Sequence, residues 1–414
     1  MKDQLLQNID YPEQFEKLYR EDKTSFLKAF DELYPNYKEN PTFQFWNLRL
    51  HYKEDKISLG DKKELLMVVI LAIIAGLFAN ISNLPKVNQE LFFLRNTSFL
   101  ILPFIAIYFL WKQQMAVKKI TIVGVVISAL VLYINLLPNA SQSSSLQLVY
   151  IHMPILLWSI LGYAYLGNQF KDTNKRVNFL KYNGDFLIMT GLILIACMVF
   201  NVLTFGLFDL IGIKIAQFYM QYIAIWAIAA IPLFATFLIQ NNPNLINKIS
   251  PLIAKIFTPL VFVNLLIYLI TIIYTGKYPF NDRNLLLLYN LLLVIVLALI
   301  FFSIAEKKDE ESSKWSNYIL LGLSLVTIVI NAIALSAILF RIFQWGITPN
   351  RMAVLGGNIL IFIHLLLVCW SLIKVIRYKS SSQNIKYTIA RYLPIYAVWT
   401  LIVVILFPIL FHWK

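Results

Sequence analysis

Five polar residues near the end of an apolar chain are the candidates for chemistry: Asn331, Arg341, Arg351, Asn358 and His364. Arg341 and Arg351 flank a short polar stretch, Arg341 to Arg351, and two guanidinium groups can clamp a phosphate or carboxylate bidentately. The amides and the imidazole offer hydrogen bonds to a substrate or a lipid headgroup without bringing a fixed charge into the membrane. Each has a plainer alternative. The arginines can snorkel to the headgroup layer with Trp345 as an interface anchor. The amides can act as interhelical glue, worth on average about 0.6 kcal/mol each. If the stretch is a turn centred on Ile347, Ser336 and Asn358 lie at equal depth. Asn331 and His364 then lie about 24–26 Å from it at 1.5 Å per residue, so depth allows a hydrogen bond between them. Helical phase works against a single site, because His364 is turned about 120° from the face shared by Arg351 and Asn358.

The usual catalytic and metal-binding constellations are missing. His51, His152, His364 and His412 show no ligand spacing with one another or with cysteine, so no metal site or catalytic residue is assigned. There is no Walker-type phosphate loop, dinucleotide fingerprint or nucleophile elbow, and no cofactor is expected. Cys197 and Cys369 fall inside apolar runs and read as buried hydrophobes. Asp185 and Asp209 sit at the edges of expected spans and read as helix N-caps. That leaves only His152 and His364 at membrane depth for proton coupling, which is weak support for it.

The elements that must position these residues are membrane helices. Apolar residues make up 59 % of the chain and charged residues 14 %, with mean hydropathy +0.68. A soluble domain averages about 45–50 % and about 25 %, so composition places the chain in a membrane. Eleven transmembrane helices are expected, near 65–81, 97–111, 119–138, 146–166, 185–208, 213–239, 251–275, 285–305, 316–345, 350–373 and 388–411. The net charge of +14 comes from basic residues between apolar runs, the pattern of orientation signals rather than of nucleic-acid binding. In alternate loops they divide sixteen to eight, which favours a cytoplasmic N-terminus and an external C-terminus. Pro103, Pro154, Pro232, Pro259, Pro394 and Pro408 fall within the spans. Each leaves a carbonyl for neighbouring helices to satisfy, whether as an ordinary kink or as a broken helix around a site.

Residues 1–60 form the N-terminal segment ahead of a transmembrane domain over 61–414. Phe15, Leu18, Tyr19, Phe26, Phe30, Leu33 and Tyr34 recur at helical spacing, with Pro12 placed to start a helix and Pro35 to end it. Phe43 to Tyr52 reads as a second helix, amphipathic enough to lie among headgroups. The segment is either a small hairpin packing on itself or on the membrane domain, or a docking module for a cytosolic protein.

The Arg341–Arg351 stretch is the best-specified turn in the chain. Gly346 suits a left-handed position after a helix end, and Thr348-Pro349 reads as an N-cap followed by a first-turn proline. The pattern Arg341, Trp345-Gly346-Ile347-Thr348, Asn350-Arg351 resembles that of a bacterial family of multi-pass membrane proteins, the domain of unknown function DUF 4153. Lys277-Tyr278-Pro279 after a long apolar run is similar to the family's layout. The likeness covers roughly residues 180–375, with Gln344 and Met352 as departures. It implies a bacterial inner-membrane setting and no established activity.

The fold class is therefore an all-α polytopic membrane bundle, about eleven helices, with a small helical N-terminal segment. Partners are the lipid bilayer, an anionic lipid or small-molecule substrate, and a cytosolic protein at residues 1–60. A permease or lipid-facing transporter is favoured. The alternatives are a scaffold or sensor using residues 1–60, and a membrane enzyme acting on a lipid-linked substrate.

Overall fold

The computed structural model describes residues 1–9, 11–50, 61–139, 143–210, 216–242, 254, 257–263, 265–267, 269–270, 283–306, 314–378 and 383–412. Helix is the only regular secondary structure among them. The chain divides into two compact units, Met1–Ser58 and Leu59–Lys414.

In the first unit the sequence builds four helices: α1 (Lys2–Gln7), α2 (Pro12–Glu21), α3 (Lys23–Leu33) and α4 (Pro41–Leu50). Pro12 opens α2 as expected, but the helix does not run on to Pro35. Asp22 adopts an extended backbone and accepts from the Thr24 and Ser25 N–H groups, both at 3.0 Å, which starts α3 afresh. Its bond from the Ser25 hydroxyl holds its carboxyl below the usual carboxylate range. Pro35 falls in the 3-10 turn that follows α3. The aromatic residues expected on one helix face meet in a core of Phe15, Phe26, Phe30, Phe43 and Trp46. This corrects the expectation of a headgroup-lying helix in one respect: α4 turns Phe43 and Trp46 into the unit's own core, leaving Phe45 and Leu48 exposed. Arg49 lies over the Trp46 and Tyr19 rings and pairs with Glu16, tying α4 to α2. That arginine also holds the Glu16 carboxyl below its usual range. His51 and Tyr52, the end of the expected second helix, lie outside the described residues.

Nine helices among the described residues of the second unit are long and apolar enough to cross a membrane. In chain order the elements are α5 (Lys62–Asn80), α6 (Gln89–Asn96), α7 (Leu102–Lys112), α8 (Val117–Leu136), α9 (Ser144–Leu166), α10 (Thr173–Leu210), α11 (Ala224–Asn241), α12 (Arg283–Ala305), α13 (Lys314–Trp345), α14 (Pro349–Tyr378) and α15 (Gln383–Leu401). α6 and α7, joined by a 3-10 turn, make up one crossing, Gln89–Lys112. The expected span 251–275 falls largely outside the described residues, which retain the apolar helix Phe257–Ile267.

α10 departs most from expectation. It starts at Thr173 and runs 38 residues, about 57 Å, longer than the roughly 30 Å of a hydrocarbon core. Asp185 is therefore twelve residues inside a helix and buried, and Asp209 is next to that helix's last residue. Neither is an N-cap. The hydropathy pattern misled because the polar first turns of α10 continue the helix before the apolar run begins.

Helices in a membrane pack by close contact rather than by exclusion of water, so small residues seat large ones. Rings lie directly on helix glycines at four crossings: Trp226 on Gly76, Phe302 on Gly184, Phe262 on Gly322 and Trp399 on Gly356. Four apolar cores result among the described residues. The first gathers α5 and α7–α11 and the second α10 and α12–α15, while two smaller ones join α8 and α9 to Val404, and α9 and α14 to Val403 and Phe407. The prolines behave as neighbour-satisfied breaks in two cases. Pro394 cannot donate to the Ala390 carbonyl, and Arg176 of α10 reaches it at 3.4 Å. Pro408, which follows a π-helical segment (Ile402–Leu406), leaves the Val404 carbonyl to the Tyr133 hydroxyl at 2.9 Å. Pro103 interrupts nothing, since it lies in the first turn of α7.

Candidate functional site

α12, α13 and α14 bring three amides together deep in the second core. Asn331 Nδ2 donates to the Asn358 backbone carbonyl at 3.2 Å, and Asn358 Nδ2 donates to Asn290 Oδ1 at 2.8 Å. Asn331 is 0 % and Asn358 3 % exposed, while Asn290 is half-buried. The bonding is incomplete: Asn331 Oδ1 and Asn290 Nδ2 are buried with no hydrogen-bond partner among the described residues. A buried amide atom without a partner costs about 1–3 kcal/mol, which marks this as an unusual place in the fold.

His364 lies on the same helix, six residues further on, in a box of rings. Phe301 and Tyr392 stand 4.6 and 4.3 Å from its ring centroid, and Nδ1 is 3.1 Å from the Tyr396 hydroxyl. Nε2 is buried and has no partner among the described residues. The Asn331–His364 bond that depth allowed does not form. Asn331 bonds a level nearer the turn, and His364 turns to α15, as its helical phase required.

The turn has the backbone read from its residues. Gly346 has φ +76°, and its N–H closes on the Ile342 carbonyl at 2.9 Å. Thr348 Oγ1 accepts from Arg351 N at 3.3 Å, and Pro349 opens α14. Arg351 donates through Nη1 to the carbonyls of Trp345 and Gly346 at 2.7 and 2.6 Å, capping the end of α13. Both guanidinium groups lie over the Trp345 ring, Arg341 at 5.5 Å and Arg351 at 5.7 Å from its centroid. Arg341 is buried, and Asn350 anchors the turn to Ser144 of α9 at 3.1 Å. These contacts fit anchoring and capping. Arg95 uses the same device at another helix end: it donates to the carbonyls of Asn135, Leu137 and Pro138 at 2.8 to 3.3 Å, closing α8.

A charged assembly not anticipated from the sequence joins α5, α7 and α11. Glu64 Oε1 accepts from the Tyr108 hydroxyl, from Lys112 Nζ at 2.7 Å and from Asn241 Nδ2 at 3.2 Å. Lys112 Nζ also reaches the Tyr108 oxygen at 3.1 Å. The one sequence signal was a glutamate two residues into an apolar helix. Its partners lie 44 to 177 positions away, beyond any local pattern. A second such pair, Lys181 and Glu306, links α10 to the end of α12 at 3.8 Å.

Among the described residues no group of three or more His, Cys, Asp or Glu could hold a metal ion. Asn201 lies in α10 with its Oδ1 buried, and Asn264 lies outside the described residues. His152 bonds the Leu148 carbonyl of its own helix at 2.9 Å. Searches against protein-family models, curated proteins and solved structures find nothing that matches this chain.

Proposed function

We propose that the chain is a permease or lipid-facing transporter whose path runs through the bundle of α12–α15. The observation that carries this reading is the placement of incompletely bonded amide and imidazole atoms at Asn290, Asn331 and His364 inside that bundle. Membrane helices leave polar groups at depth where a solute or ion is handled. The charged assembly at Glu64, by contrast, sits near helix ends. The test compares the solute content of cells with and without the chain. Expression should alter it, and Asn331→Leu or His364→Leu should cancel the alteration at unchanged membrane levels. Identical profiles with and without the chain would refute the reading.

The topology belongs to the same proposal, and contacts between helix ends support it. Glu64, Lys112 and Asn241 meet at one face, and Lys119 bonds Asn168 at 2.7 Å to place the start of α10 on that face too. Lys181 and Thr258 then meet Glu306 and Ser303 there. Asn241 and Glu306 thus share a face although α12 crosses between them. That arrangement favours one further crossing before α12, for which the apolar helix Phe257–Ile267 is the candidate. Added to the nine long helices and α12, this supports the proposed count of eleven crossings. Counting Lys and Arg in alternate loops assigns the Glu64 face to the cytoplasm. The likeness of the Arg341–Arg351 turn to DUF 4153 adds a bacterial inner membrane as the proposed setting. In intact cells an impermeant thiol reagent should label Ile347→Cys; labelling only after lysis overturns the orientation.

A scaffold or sensor is the second reading. Residues 1–50 form a unit with its own aromatic core, seven Lys and Arg against nine Asp and Glu, and exposed Tyr11, Phe45 and Leu48. If a cytosolic protein binds there, deleting residues 1–60 removes it from a pull-down. An unaltered pull-down rejects this reading.

A further inference from the structure

α8 is the least buried of the nine long helices among the described residues. Between it and α9 lies a groove of about 260 Å³ lined by Ile122, Val123, Val126, Ser159, Ile160 and Tyr163. Val123 is buried while Ile122 and Val126 are exposed, so the groove opens outward from the bundle. Ser159 spends its hydroxyl on the Ile155 carbonyl of its own helix at 2.9 Å and asks for no polar ligand. Small-molecule sites run to roughly 300–1,000 Å³, so this groove is smaller and suits a single alkyl chain. Helical phase sets a cation at its end. Lys119 precedes Ile122, Val123 and Val126 by three, four and seven residues and so shares their stripe of α8. Its Nζ bonds Asn168 Oδ1 at 2.7 Å, in the turn that follows α9, which fixes it between the two helices that form the groove. Lys118 is exposed beside it, four residues before Ile122. Asn168 is neutral, and among the described residues no ion pair engages either lysine, so both charges are available.

We propose that the groove holds one acyl chain of an anionic phospholipid whose headgroup lies on Lys118 and Lys119. The order of features along α8, two cations and then an apolar trough, is the order of charge and alkyl chain in such a lipid. Seven residues separate Lys119 from Val126, about 10 Å at 1.5 Å per residue, against about 15 Å for half of a hydrocarbon core. The trough therefore takes the part of the chain nearest the headgroup. A second copy of this chain is the other occupant for an outward face. Parallel copies related by a two-fold axis would bring Lys118 and Lys119 towards their own equivalents, and neither α8 nor α9 contains an Asp or Glu to answer them. An anionic headgroup meets the same lysines with opposite charge. The site requires that α8 and α9 lie in a bilayer and is independent of whether the bundle carries a solute.

Native mass spectrometry of the full chain in detergent provides the test, with phosphatidylglycerol and phosphatidylcholine of identical chains as probes. One phosphatidylglycerol should bind about 25-fold more tightly than phosphatidylcholine, since each lysine contributes about five-fold towards an anionic lipid. Lys118→Gln/Lys119→Gln should abolish that preference. Lys62→Gln/Lys63→Gln, which removes two exposed lysines at the start of α5, should leave it unchanged. Val126→Trp fills the groove without touching the lysines and should weaken both lipids; Ile122→Trp stands in if that variant folds poorly. Glycerol phosphate, which has the charge without the chain, should not compete. Equal affinity for the two lipids overturns the proposal, and so does an equal loss of preference in the α5 variant. Unaltered binding in the tryptophan variants or competition by glycerol phosphate does the same. A dimer that forms without lipid and that Val126→Trp dissociates assigns the groove to a second copy, and that result also overturns it.

Discussion

The clasp at Glu64 and the amide group at Asn331 are both buried polar assemblies joining three helices, yet they are built on opposite principles. The clasp is charged, lies near helix ends, and directs three donors onto one carboxylate oxygen. The amide group is neutral, lies deep in the second core, and leaves donors and acceptors over. A charge inside a membrane must be neutralised and hydrogen-bonded, so the first kind persists only when complete. An amide costs less to leave partly bonded, so the second kind can keep capacity for a ligand. The difference separates what holds the bundle together from what it can hold.

The strongest way to break the comparison is to remove one member of the clasp. Lys112→Ala leaves Glu64 buried without its counter-charge and should destabilise the protein by about 3 kcal/mol, read as thermal unfolding in detergent. The double variant Glu64→Leu/Lys112→Leu removes both charges and should recover most of that loss. A double variant as unstable as the single would show that the ion pair is not what is being measured. Next in size is Gly356→Leu, which drives a side chain into the Trp399 ring and should cost about 2 kcal/mol by overpacking. Equal stability there would mean that α15 can leave α14 freely. The smallest effect sharpens the contrast: Asn331→Leu removes an orphaned carbonyl oxygen along with one hydrogen bond, so its stability change should stay within about 1 kcal/mol. A loss as large as that of Lys112→Ala would place the amide group among the structural assemblies and remove its claim to a ligand.

Much of the scaffold was legible because hydropathy is a local property. Residues that must sit in lipid are apolar whatever they touch, and each of the nine long helices overlaps an expected span, with α10 and Gln89–Lys112 starting well before theirs. The turn at Gly346 was legible for the same reason, since φ +76° and a capping threonine are demands of the backbone itself. α10 was misread at its start because helix propensity continues across a polar stretch where hydropathy does not. In the first unit, Asp22 was passed over although an Asp two residues before Thr24 is a cap signal; the aromatic periodicity on either side looked like one helix.

The candidate site divides along the same line. Its residue types and depths could be read from the chain: amides and a histidine in otherwise apolar helices, and arginines at their ends. Which atoms they meet could not. Asn358 finds Asn290 across 68 positions, Glu64 finds Asn241 across 177, and Tyr133 finds the carbonyl freed by Pro408 across 271. Such pairings depend on helix rotation and crossing, set by where rings seat on glycines, and no linear pattern carries that information. Sequence alone determined that the chain carries helices apolar enough to cross a membrane and which of its residues are out of place in them. Only the tertiary structure decided which of them are fully answered by neighbours and which are not, because a hydrogen bond is a matter of two or three ångströms and hydropathy is not.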